Sequence, residues 1–156
     1  MADNYTLFSE VIPALTRKEQ AWVRRVLGDG SDVAPSAAEL SAAGIQLDSD
    51  DEDWPGFEWR IQEPSWKDLW IYSEASGSVE NVARFVQAFL KRFRPDDCWH
   101  MTWAETCSRP QIGEFGGGGI FVTAEGAEFY SAHEWAAGQQ AKFEQKARRT
   151  VQVRKS

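Results

Sequence analysis

The sequence predicts an α+β domain: about four mainly antiparallel strands in ββαββα order, covered by helices and preceded by short N-terminal helices. Three observations predict it. Phe57-Glu58-Trp59-Arg60-Ile61-Gln62 alternates apolar and polar residues without exception, the period of a half-buried strand. Val79, Val82, Phe85, Val86, Phe89, Leu90 and Phe93 recur at helical spacing and form one apolar stripe. Around them, apolar stretches of strand length and of helix length follow one another. A sheet carrying helices is the economical way to bury both kinds of face.

Each element has its own signal. Thr16 with Glu19 is a capping box, and Trp22, Val23, Val26 and Leu27 follow at helical spacing until Gly28 ends the run. Ser36 with Glu39 opens a second, short helix that Gly44 closes. Glu63-Pro64-Ser65 reads as a turn after the alternating strand. Asp68 to Ser73 is a more continuously apolar strand, so the two strands suggest a hairpin. Ser78 is a good N-cap for the Val79–Phe93 helix, and Pro95 stops it. Cys98 to Thr106 reads as a third strand, with Trp99, Met101 and Trp103 on one face. Ser108 to Gly119 reads as a glycine-rich loop and Ile120 to Thr123 as a fourth strand. Ser131 with Glu134 caps a C-terminal helix bearing Trp135, Ala136 and Phe143. Phe85, Val86, Phe89, Trp59, Ile71, Trp103 and Phe121 are expected to share one core.

Size and composition bound the function. The chain has 156 residues, 42% of them hydrophobic and 26% charged, which suits one soluble domain over 1–156. No apolar run approaches the roughly 18 residues of a membrane span. The opening Met1-Ala2-Asp3-Asn4 lacks the order of a signal peptide. Two cysteines do not make a disulfide framework, so a cytoplasmic setting is expected. Cys98 and Cys107 are nine residues apart on one strand, which puts them on opposite faces and too far apart to bond.

Charge is unevenly spread beneath the net −7. Ten acidic residues against Arg60 alone lie between Asp29 and Glu63, densest in an acidic loop over 46–56. From Lys142 onward six basic residues face one acidic residue, and 148–156 reads as a flexible basic tail. An acidic chain does not favour broad phosphate binding, so direct nucleic-acid binding is not expected. It favours a protein partner with a basic surface. Eight Trp and nine Phe exceed what a core of this size needs. Some Trp are therefore candidates for interface anchors.

Motifs for catalysis are weak. Gly116-Gly117-Gly118-Gly119 leads into a strand rather than a helix, and no Gly-Lys-Ser/Thr follows, so it is no phosphate loop. It reads as a flexible hairpin loop or a bulge, or as a loop that lets a partner backbone approach. His100, His133 and the two cysteines match no zinc spacing, and no metal or cofactor is expected. His133 and Glu134 are adjacent on a helix and do not face each other.

Several stretches carry a resemblance. They are Leu69-Trp70-Ile71-Tyr72-Ser73-Glu74-Ala75-Ser76-Gly77, Phe89-Leu90-Lys91-Arg92-Phe93-Arg94-Pro95-Asp96-Asp97, Thr102-Trp103-Ala104-Glu105-Thr106-Cys107-Ser108-Arg109-Pro110 and Gly113-Glu114-Phe115-Gly116-Gly117-Gly118. Over about residues 57–146, with the Tyr5–Glu10 opening, the chain resembles a widespread group of uncharacterised bacterial proteins, some of them carried on mobile elements. The resemblance implies a bacterial setting and supplies no catalytic residue.

These readings favour a small acidic protein-binding module over an enzyme. An inhibitor or immunity-type role, covering a basic surface, fits the charge and the setting. The expected binding residues are Asp50, Asp51, Glu52, Asp53, Trp54, Trp66, Gly116 and Gly117. The alternative is a small-molecule enzyme with Cys107, Glu105, Arg109 and Glu114 near the Gly113–Gly119 loop.

Overall fold

A computed structural model describes residues 3–29, 34–49, 53–62 and 67–155. In chain order the elements are β1 (Asn4–Ile12), α1 (Arg17–Leu27), α2 (Ala37–Ala42), β2 (Glu58–Gln62), β3 (Asp68–Ser73), α3 (Val79–Phe93), β4 (Cys98–Cys107), β5 (Gly116–Thr123), β6 (Gly126–Ser131) and α4 (Ala132–Lys155). The α+β class is as expected, but the sheet has six strands, not about four. All its pairs are antiparallel, in the order β2-β3-β1-β4-β5-β6.

Two strands account for the difference. β1 is central: Phe8 to Ile12 pair with β3 and Asn4 to Leu7 with β4. Its apolar residues come as the doublets Leu7-Phe8 and Val11-Ile12, which hide the period of two. β6 is a short edge strand whose Phe129 and Tyr130 are about half exposed, so its apolar signal never resolved into a face. The third correction concerns Gly116 to Gly119, which belong to β5 rather than to a loop. They pair with Trp103 to Glu105 and Thr102 of β4. The connecting loop is Ser108 to Phe115.

Capping fixes the helix starts as the spacing predicts. Thr16 Oγ1 accepts the Glu19 N–H at 3.2 Å, and Glu19 Oε1 accepts the Thr16 N–H at 2.8 Å. Ser36 and Glu39 repeat the arrangement on α2. Ser78 Oγ accepts the Asn81 N–H at 3.2 Å at the head of α3. Gly28 ends α1 at φ +96°, which a residue with a side chain adopts only with strain. The turn at Glu63-Pro64-Ser65 lies outside the described residues. β2 and β3 nonetheless pair as a hairpin does, from Gln62↔Asp68 to Glu58↔Tyr72.

One face of the sheet carries Phe8, Ile12, Leu69, Ile71, Met101, Ile120 and Val122, all buried. They share a cluster with Val82, Phe85, Val86 and Phe89 of α3 and with Trp22, Val23, Val26 and Leu27 of α1. Trp22 bridges the two helices, stacked on Phe85 at 5.8 Å and edge-on to Phe93 at 5.6 Å. Six of the seven expected core residues belong to this cluster or pack on it. The seventh, Phe121, points to the other face and is 43% exposed, because its neighbours Ile120 and Val122 take the inward positions. Trp70 and Tyr72 stack on that other face, with ring centroids 3.8 Å apart.

Helix α4 includes the whole basic segment through Lys155. It contacts β5 and β6 at its base, and His133 through Arg154 are all exposed. No helix among the described residues is long and apolar enough to cross a membrane.

Candidate partner-binding surface

The end of the acidic loop is fastened to the start of α3. The Asp53 carbonyl accepts from Asn81 Nδ2 at 2.9 Å, and the Gly56 carbonyl accepts the Ser78 N–H at 2.7 Å. Asn81 is buried, so this amide satisfies itself by holding the incoming chain. Gly56 sits at φ +71° with Ser78 and Asn81 about 3.2 Å from where a Cβ would stand. A larger residue there is strained by both backbone and contact.

Trp54 is half-buried. Its Nε1–H donates to the Val26 carbonyl at 2.9 Å, and its ring meets Phe57 edge-on at 6.4 Å. It is a fixed wedge between α1 and β2 with one side open, not a freely exposed anchor. Asp53 beside it is exposed.

Two clefts meet at Asp53 and Trp54. One, of about 720 Å³, has an apolar wall of Pro35, Leu40, Ile45, Leu47 and Trp54. The other, of about 600 Å³, runs past Gly56, Phe57 and Gly77, with carboxylates of Asp53, Glu58 and Glu74 on its lining. Among the described residues neither has a basic residue on its lining. Three further clefts, on the α1, α2 and α3 side, are lined by Arg24, Arg25, Arg84, Lys91 and Arg92. Asp29 and Glu39 also line two of these three clefts, and Arg84 bonds Asp48 at 2.7 Å beside the apolar-walled cleft. An apolar trough continuous with an acidic one can take a partner that presents an apolar side chain flanked by cations.

The expected site residues divide among separate places. Asp53 and Trp54 belong to these clefts. Asp50, Asp51, Glu52 and Trp66 lie outside the described residues. Gly116 and Gly117 are elsewhere: β5 is four strand spacings from β2, roughly 19 Å across the sheet. They lie in β5 rather than in a loop, paired with Glu105 and Ala104 of β4. Glu58 and Glu74 escaped the sequence reading. Glu58 belongs to the acidic stretch and Glu74 stands apart from it, and the β2–β3 pairing brings both to the cleft that Asp53 lines.

At the far end, a Cβ on Gly116 would stand 2.6 Å from His133 Nε2 and 2.9 Å from Glu105 Oε2. The missing side chain lets these two groups share the space over β5. His133 of α4 and Glu105 of β4 thus both come up to Gly116. Cys107 is half-buried at the end of β4, and Arg109 is exposed in the following loop with Glu114 half-buried. Among the described residues no three His, Cys, Asp or Glu side chains are placed to hold a metal ion.

Comparison with protein-family models, with curated proteins and with solved structures finds no match to this chain.

Proposed function

We propose that this chain is a small acidic protein-binding module that covers a basic surface on its partner, as an inhibitor or immunity-type protein does. The observation that carries this reading is the junction at Asp53–Trp54, where a cleft with Pro35, Leu47 and Trp54 on its wall opens into one lined by Asp53, Glu58 and Glu74. An apolar side chain of the partner fills the first cleft. Its cations meet the carboxylates of the second, where opposite charge speeds encounter and fixes orientation. The acidic run before Asp53 adds to the same field by its charge. We read the protein as cytoplasmic, and its free cysteines support that reading.

Titration with a synthetic peptide of alternating arginine and leucine tests this function. Asp53→Asn, Glu58→Gln and Glu74→Gln together should weaken binding about tenfold or more near 50 mM salt, and by much less near 500 mM. The melting temperature should stay level or rise as self-repulsion falls. Wild-type affinity in the triple variant across the salt series would refute the reading.

A further inference from the structure

Helix α4 poses a physical problem that the rest of the fold does not. Its 24 residues extend about 36 Å, yet its main contacts with the body are at β5 and β6. Helices of globular proteins owe most of their stability to packing an apolar face. Trp135 is 57% exposed, Phe143 73% and Val151 51%. They recur every eight residues, about 12 Å apart along the axis and turned by roughly 80° at each step, so they form neither a coiled-coil seam nor a single apolar face. Lys142, Lys146, Arg148, Arg149, Arg154 and Lys155 make the same helix strongly basic. Two such helices side by side in parallel would repel.

The same chain carries a surface of the opposite kind. The clefts at Asp53–Trp54 offer an apolar wall at Trp54 and three acidic residues, with no basic residue on their lining among the described residues. Helix α4 does not occupy the clefts of its own chain: it leaves from β6, at the opposite edge of the sheet from β2, and His133 to Arg154 are all exposed.

Resting on the proposed function of these clefts, we infer that α4 of a second copy of this chain docks in them. Phe143 lies against the open side of Trp54, and neighbouring arginines and lysines of the helix face Asp53, Glu58 and Glu74. Done reciprocally, the exchange closes a two-fold dimer with two identical contacts and leaves no open end. A basic partner protein then competes with the second copy for the same clefts.

Sedimentation equilibrium of the full chain tests the inference. The wild type should dimerise near 50 mM salt, with a dissociation constant at least about tenfold higher near 500 mM. Arg148→Glu with Arg149→Glu should be monomeric, and so should Asp53→Lys with Glu74→Lys. Mixing the two variants should restore a heterodimer, since each helix then meets a cleft of opposite charge. Circular dichroism and melting of each variant exclude misfolding. A wild type that is monomeric at all salt concentrations overturns the inference. So does a dimer indifferent to both charge reversals, which would point to the Trp70–Tyr72 face or to helix–helix pairing. If the chain is monomeric while the arginine–leucine peptide still binds the wild-type clefts, this inference fails and the proposed function stands.

Discussion

Arg94 closes on Glu19 with two bonds. Its Nε–H donates to Oε2 at 2.9 Å, and Nη2–H donates to Oε1 at 3.3 Å. Glu19 starts α1 and Arg94 ends α3, so the pair ties together the two helices that build the core. Arg94 also donates to the Pro13 carbonyl at 2.9 Å and lies 5.3 Å from the centre of the Phe89 ring. Burial alone would raise the Glu19 pKa. The bonds from Arg94 and from the Thr16 N–H outweigh it, and hold the carboxyl below its ordinary value of 4.5.

That pair makes the first prediction. Arg94→Met strands a carboxylate that is 3% exposed, and should cost about 3 kcal/mol in denaturant unfolding at neutral pH. The pH dependence follows from the direction of the shift. A depressed folded pKa stabilises above about 4.5 and loses that contribution as pH falls through the folded value. The stability gap between wild type and Glu19→Gln should therefore be widest at neutral pH and narrow on acidification below about 4.5. A gap that grows on acidification would contradict the assignment.

Phe89 is fully buried between Trp22, Phe85 and Phe93. Phe89→Ala should cost about 3–5 kcal/mol, the range for emptying a packed aromatic site. A loss below roughly 1 kcal/mol would mean that α3 does not bury this face.

The glycines of β5 should separate by position. A Cβ on Gly118 would collide with the Tyr130 carbonyl and stand 2.6 Å from the Trp103 ring. Gly118→Ala should destabilise by about 1–3 kcal/mol, as overpacking does, and should loosen the β6 edge that carries α4. Gly116→Ala should be milder, since the ends of His133 and Glu105 can swing aside. Equal tolerance at both positions would mean that the segment behaves as a loop.

Both cysteines are free, with Cys98 exposed and Cys107 half-buried at the other end of β4. Ellman titration should find two thiols per unfolded chain, and in the native protein Cys98 should react first. A loss of both thiols would show that the β4 register is wrong.

The legibility of the chain followed local chemistry. Capping boxes at Thr16 and Ser36, the stripe of α3 and the strict alternation of β2 are encoded within a few residues each, and all four elements appear where they are predicted. β1 was not legible, because a central strand is defined by pairing to β3 and β4, which are distant in sequence. The strand role of Gly116 to Gly119 was hidden for a related reason. What needs glycine there is the close approach of Trp103 and Tyr130 from neighbouring strands. Asp53 and Trp54 were singled out from charge and composition, and both line the two clefts. Glu58 and Glu74 join them only through the fold, and His133 and Glu105 both come up to Gly116 only because β6 delivers α4 beside β5.

The central claim is that the Asp53–Trp54 clefts are the partner-binding surface. The most direct measurement is nuclear magnetic resonance of the labelled protein with the arginine–leucine peptide carrying a nitroxide. Broadening should centre on the Trp54 indole N–H and on the amides of Leu47, Phe57 and Glu74, and should fade as salt screens the charges. Broadening centred instead on Phe121 and Tyr130, or on the Arg24–Arg25 cleft, with Trp54 untouched, would contradict the account.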